Sequence, residues 1–221
     1  MHPNNYHHSI GTMETSKFVE FAMHSEALQF GQFTLKSGRI SPYFFNAGKF
    51  NTGEHLAVLG EFYAQRLIDS GIDFDMLFGP AYKGIPLATA ISVSLHQQHQ
   101  RSVAVAFNRK EAKTHGEAGL LIGAPLAGKI VITDDVITAG TAIRESFDII
   151  KDSDAEVVAV IVALDRQEKG PNGASAIQEI EQQFQIPVLA IAGLNDLLSY
   201  VQTNMAEQQQ ALTEYRNQYG V

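Results

Sequence analysis

Short apolar runs punctuate this chain at residues 74–78, 103–107, 130–133, 157–164 and 186–192, all rich in Val, Ile and Phe. Longer, helix-compatible stretches separate most of them. Strands without a polar face are buried on both sides, as in a parallel sheet covered by helices. The intervals agree: Ile143, Phe147 and Ile150 recur at helical spacing, and residues 85–96 predict a helix with Pro86 in its first turn. The beginning of the chain reads differently. Residues 13–30 predict an amphipathic helix through Phe18, Phe21, Ala22 and Leu28. Aromatic strand candidates follow at 32–35 and 43–45, broken by Ser37-Gly38 and Pro42, and then a helix over 54–70 that Gly71 stops. The pattern predicts an α/β fold: an open, mostly parallel twisted sheet flanked by helices, with a small N-terminal hood over about residues 13–50. One domain then spans 13–221. The Gln-rich stretch 206–216 predicts a surface helix, and the polar, His-containing residues 1–12 a flexible extension or a leftover of cloning. No internal repeat is visible.

Composition narrows this further. With 221 residues, 45% of them hydrophobic, the chain can fill one large core. A net charge of -8 speaks against nucleic acid or an anionic membrane as partner, so any phosphate must be held by a few placed groups. The absence of cysteine removes disulfides, thiolate metal sites and cysteine nucleophiles, and suits a reducing compartment. No basic segment followed by an apolar run opens the chain, and the run at 157–164 is too short to span a bilayer. The expectation is a soluble cytoplasmic protein.

The chemistry concentrates at residues 130–142. A strand ends on Asp134-Asp135; Val136, Ile137 and the small residues Thr138-Ala139-Gly140-Thr141 follow; Ala142 onward is helical. Ligands of open parallel sheets bind beyond the carboxyl ends of strands. Small residues let backbone N–H groups approach a phosphate, and a helix start adds unpaired donors and a positive dipole end. Two carboxylates beside a phosphate pocket would repel it, unless they face ribose hydroxyls or stabilise positive charge developing on a ribose ring. A helix-capping turn is the bland alternative for the acidic pair alone.

The strip resembles the phosphoribosyl-pyrophosphate motif of the type I phosphoribosyltransferases. The resemblance implies that Asp134 and Asp135 bind the ribose diol and that residues 136–142 bind the 5-phosphate. Four further segments resemble the orotate phosphoribosyltransferases within that family, and the resemblance as a whole covers the chain from about residue 14 onward. In residues 33–39 and 41–46, Lys36 would meet the pyrophosphoryl group, and Phe44 and Phe45 would line the orotate site. In residues 79–86, Tyr82 and Lys83 would contact pyrophosphate. Residues 108–117 bring Arg109, Lys110, Lys113 and His115 together in an otherwise acidic chain; they are similar to a flexible catalytic loop that closes over the neighbouring subunit's active site in a homodimer. Lys113 is the first candidate for transition-state stabilisation, with Lys110 and His115 behind it. Arg166, after the strand ending Leu164-Asp165, stands where the family binds orotate. A planar guanidinium recognises the carboxylate by which orotate differs from uracil, and Thr138 lies nearby in the strip. The implied activity is phosphoribosyl transfer to orotate in pyrimidine biosynthesis. Mg²⁺ is the implied cofactor, held mainly by substrate and water, so no protein metal ligand is named.

Other signals fall away. Residues 123–129 begin like a phosphate-binding P-loop, but Ile130 replaces the required Ser or Thr and a strand follows instead of a helix. His96 and His99 lack a third ligand and read as solvated histidines. No GxGxxG follows a strand. A purine phosphoribosyltransferase conflicts with Arg166 and the N-terminal segments. A non-catalytic regulator on the same fold conflicts with the acidic balance, the intact cationic loop and the lack of a DNA-binding module.

Overall fold

The computed structural model describes residues 12–35, 37–110 and 121–221, with side chains from residue 15 onward. Strands β3 (Met76–Gly79), β4 (Ala104–Asn108), β5 (Leu121–Gly123), β6 (Ala127–Thr133), β7 (Asp154–Asp165) and β8 (Val188–Gly193) form one sheet in the order β5-β4-β3-β6-β7-β8. All neighbours run parallel except the short edge strand β5, antiparallel to β4. From β3 the chain builds outward to β4 and then returns to β3's other side as β6. The strand order therefore reverses between β3 and β6, where a crevice opens beyond the strands' carboxyl ends.

Alternation along the strands divides the core. Leu77, Val131, Ala159, Ile161 and Ala163 face α1 (Thr12–His24), α2 (Gly53–Ser70), α3 (Gly84–His99), α6 (Leu194–Asn204) and α7 (Ala206–Tyr219). Met76, Phe78, Ile130, Ile132, Val160 and Val162 face α4 (Thr141–Ile150) and α5 (Ala176–Phe184). Such strands have no solvent face, which is why they read as unbroken apolar runs. Each fully buried Val, Ile or Leu among them contributes about 1.5–3 kcal/mol. Local signals end the helices where expected: Thr52 caps α2 through its side chain, and Gly71 closes it in the left-handed region at φ 67. No helix among the described residues is long and apolar enough to cross a membrane.

Differences from the sequence reading are local. The first helix stops at His24 instead of continuing to 30, because Ser25 turns its hydroxyl onto the carbonyls of Phe21 and Ala22 and Glu26 adopts φ 57. Leu28 then opens β1 (Leu28–Thr34), which pairs with β2 (Ile40–Phe45) as a separate two-stranded hood. Pro42 lies inside β2 and does not break it, since a two-stranded ribbon is all edge. Helix α7 runs along the surface but buries Leu212 and Tyr215. His96 is exposed as expected; His99 is half-buried, with an Nε2 that has no hydrogen-bond partner among the described residues.

Candidate active site

Two loops meet in the crevice. Residues 80–83 leave β3 and turn back so sharply that a Cβ on Gly79 would stand 2.3 Å from the Gly84 carbonyl oxygen. The loop is also held from the side, where Asn108 Oδ1, at the end of β4, accepts from Ala81 N–H at 2.8 Å. Across from it, β6 ends at Thr133 and the chain runs through Asp134-Asp135 into α4. Lys83 Nζ lies 2.6 Å from Asp135 Oδ2, joining the two loops. Asp135 is 7% exposed. Tyr82, in contrast, is 72% exposed and follows a cis peptide bond.

The two carboxyl groups differ. Asp134 Oδ1 accepts from the Asp135 N–H at 2.9 Å, and the Asp134 carbonyl accepts from the buried Tyr63 hydroxyl at 2.8 Å. Burial, and next the charge of Asp135, push the Asp134 carboxyl up to about 7. Between its ordinary value of 3.8 and about 7, the folded chain keeps a proton that the unfolded chain has released. The stability this contributes is full below about 4 and is lost as pH rises through about 7. Asp134→Asn should remove that decline. Its melting temperature at pH 8 should exceed that of the parent by about 2–4 °C per kcal/mol recovered, with no gain at pH 4. A parent whose melting temperature is flat between pH 5 and 8 would overturn the assignment.

Residues 136–142 carry the second part. Gly140, in the left-handed region at φ 71, starts α4 without a side-chain cap, so no side chain competes for the first N–H groups of the helix. Asp134 and residues 136–143 line a cavity of about 110 Å³. Arg144 fixes the loop from behind: its Nη1 donates to the Ala139 carbonyl and its Nε to Gln183 Oε1 of α5 at 2.8 Å.

Arg166 follows β7 and lies largely buried, its guanidinium 4.5 Å over the Tyr43 ring and its Nη2 2.6 Å from Glu168 Oε1. Burial would lower its pKa; Tyr43 and Glu168 outweigh this, and the shift is upward. Phe44 and Phe45 are adjacent on β2 and so point to opposite faces. Phe44 is exposed and stacks on Phe33 at 5.5 Å, while Phe45 tilts against Phe50 at 6.2 Å beside the core. The structure thus brings Lys83, Asp134, Asp135 and residues 136–142 into one crevice, and does not place the two Phe rings on one surface. Lys110 Nζ lies 3.4 Å from Glu145 of α4, and Arg109 follows the end of β4. Lys36, Lys113 and His115 lie outside the described residues. The sequence reading did not single out Asn108, Tyr63 or Glu168. An Asn closing a strand before a cationic loop was a usable signal for the first; nothing local marks the other two.

Comparisons with known proteins agree with this geometry. The phosphoribosyl transferase domain family matches residues 48–188. The orotate phosphoribosyltransferase of Cronobacter sakazakii is 58% identical over 207 residues, 93% of this chain and 97% of that one. That of Serratia proteamaculans is 57% identical over the same shares. The crystal structure of the Francisella tularensis orotate phosphoribosyltransferase superposes with a TM-score of 0.86 at 46% identity, over 93% of this chain and 100% of that one.

Proposed function

The chain belongs to the orotate phosphoribosyltransferases, and from that premise we propose how its residues divide the work. The reaction transfers the 5-phosphoribosyl group of phosphoribosyl pyrophosphate to orotate, giving orotidine 5′-phosphate and diphosphate in pyrimidine biosynthesis. In the proposed site the 5-phosphate sits on residues 136–142, with backbone N–H groups and the hydroxyls of Thr138 and Thr141 donating. Asp134 and Asp135 take the ribose diol and face the positive charge that develops at C1 as its bond to the diphosphate oxygen breaks. Tyr82, Lys83, Lys36 and the cations Arg109, Lys110, Lys113 and His115 receive the leaving diphosphate. The ring nitrogen of orotate attacks C1 while Arg166 holds the orotate carboxylate and Thr138, Phe44 and Phe45 border the base. Phe44 would offer a ring face and Phe45 its backbone, as their opposite orientations require. The observation that carries this arrangement is the 2.6 Å contact between Lys83 and Asp135, because it puts the loops assigned to diphosphate and to ribose against one another.

Magnesium fits the donor set as a companion of the donor substrate. Diphosphate and ribose oxygens and water would supply most of its ligands, in keeping with the reluctance of Mg²⁺ to dehydrate, and no protein ligand is assigned. When bound, it neutralises charge on the diphosphate. The proposed assembly is a cytoplasmic homodimer in which residues 109–117 reach the neighbouring subunit's site.

The test follows orotate absorbance in a mixture of protein, phosphoribosyl pyrophosphate and Mg²⁺. Orotate should be consumed and uracil spared by a factor of at least about 100, the discrimination a site built around a buried polar partner achieves. Consumption of uracil or a purine in preference to orotate would sink the assignment of Arg166.

A further inference from the structure

Glu168, which the mechanism above does not use, stands at the centre of a cluster that includes Arg166. Its Oε1 accepts from Arg166 Nη2 at 2.6 Å, from the Tyr215 hydroxyl at 2.9 Å and from the Tyr43 hydroxyl at 3.3 Å. Its Oε2 lies 3.8 Å from Arg39 Nη1. Arg39 in turn donates to the Lys169 carbonyl at 3.1 Å and rests 4.8 Å over the Tyr219 ring. These groups come from four places in the fold: the turn between β1 and β2, β2 itself, the end of β7 and helix α7. The backbone closes the same knot, because Lys169 N–H donates to the Tyr219 carbonyl at 2.7 Å and Val221 N–H to the Gln167 carbonyl at 3.0 Å.

We propose that Glu168 is a positioning residue that sets the Arg166 guanidinium for the orotate carboxylate, and that α7 thereby belongs to the base site. The inference rests on the reading of Arg166 as the carboxylate-binding residue. A guanidinium recognises a carboxylate bidentately only when its plane and its edge are both fixed. Stacking over Tyr43 fixes the plane. The short bond from Nη2 to Glu168 fixes rotation within that plane and leaves the other nitrogen edge for substrate. Charge supports the arrangement: Arg39 and Arg166 surround one carboxylate, so the cluster stays cationic in an acidic chain and suits an anionic base. Tyr215 matters because its hydroxyl donates to the same Glu168 oxygen that Tyr43 bonds, while its ring packs edge-on against Tyr43 of the hood at 6.2 Å. The tail helix thus contributes a hydroxyl to the group that aims Arg166.

The experiment compares Glu168→Gln, Tyr215→Phe and Arg166→Ala by steady-state kinetics with both substrates. Glu168→Gln should raise KM for orotate about tenfold, the size of one charge-assisted hydrogen bond, with KM for phosphoribosyl pyrophosphate changed less than about twofold. The preference for orotate over uracil should narrow by a similar factor, and Glu168→Asp should recover part of it. Tyr215→Phe should move orotate KM the same way by about threefold, and it carries the test if Glu168→Gln does not fold. A parallel rise in both KM values, or an unchanged or lower orotate KM, overturns the proposal, because a purely structural carboxylate would not select one substrate. The two failures are distinguishable. If Arg166→Ala weakens orotate while Glu168→Gln and Tyr215→Phe do not, only the positioning role is lost. If Arg166→Ala leaves orotate KM unchanged, the reading of Arg166 falls and takes this inference with it.

Discussion

Lys113→Ala is expected to lower kcat by about a hundredfold to a thousandfold, with KM for either substrate changed by less than about threefold. As the C1–O bond breaks, negative charge gathers on the diphosphate oxygens, and a cation meeting that charge only in the transition state raises kcat without tightening ground-state binding. The chain is acidic overall at -8, so cations near the leaving group must be local. Sequence concentrates them at Arg109, Lys110, Lys113 and His115 directly after β4, whose end also holds the loop assigned to diphosphate, residues 80–83, through Asn108. Lys110 shares its charge with Glu145 across an exposed surface, so Lys110→Ala should lower kcat by only about tenfold, in keeping with a weak surface pair. Single-turnover measurements separate the chemical step from product release. If Lys113→Ala changed KM and kcat by equal factors, the residue would be a binding group instead.

How much of this was legible in the sequence depends on how local each cause is. The strip at 130–142 was legible because strand, acidic pair, small-residue turn and helix start are consecutive, and each has its own pattern. The buried strands were legible because both their faces are apolar. The first helix was overextended because Leu28 and Phe30 continue a helical spacing, while the hydroxyl of Ser25 and the left-handed Glu26 end it at His24. Helix α5 could have been found from Ser175 and Gln178, a reciprocal capping pair; β5, with three residues, carries too little pattern. The Glu168 cluster was not legible at all. Its partners lie at 39, 43, 166 and 215, and no periodicity connects positions that only the tertiary fold brings together. The opposite orientations of Phe44 and Phe45 follow from strand geometry and could have been stated once β2 was assigned.

Gly84→Ala is expected to lower kcat/KM by about a hundredfold while the protein stays folded at assay temperature. Gly84 opens α3 just after the loop assigned to diphosphate, and a Cβ there would stand 2.6 Å from Pro80 Cδ, 2.7 Å from the Thr133 carbonyl oxygen and 2.8 Å from the Gly79 carbonyl carbon. A proline ring and two backbone groups cannot swing aside as a flexible side chain would, so the loop or the end of β6 must move. Thr133 immediately precedes Asp134, and Lys83 immediately precedes Gly84, so the displacement falls between the groups assigned to ribose and to diphosphate. A shift of about 1 Å in reacting groups is enough for a hundredfold loss. Overpacking should also cost about 1–3 kcal/mol of stability, or about 2–12 °C in melting temperature for a chain of this size. Circular dichroism at the assay temperature therefore accompanies the kinetics. Gly53→Ala is the control: its Cβ meets nothing within 4 Å at the start of α2, and activity should stay within about twofold. If Gly84→Ala kept more than half of the parent kcat/KM, the contact between the two loops would be incidental, and the Lys83–Asp135 pair could no longer carry the assignment of the site.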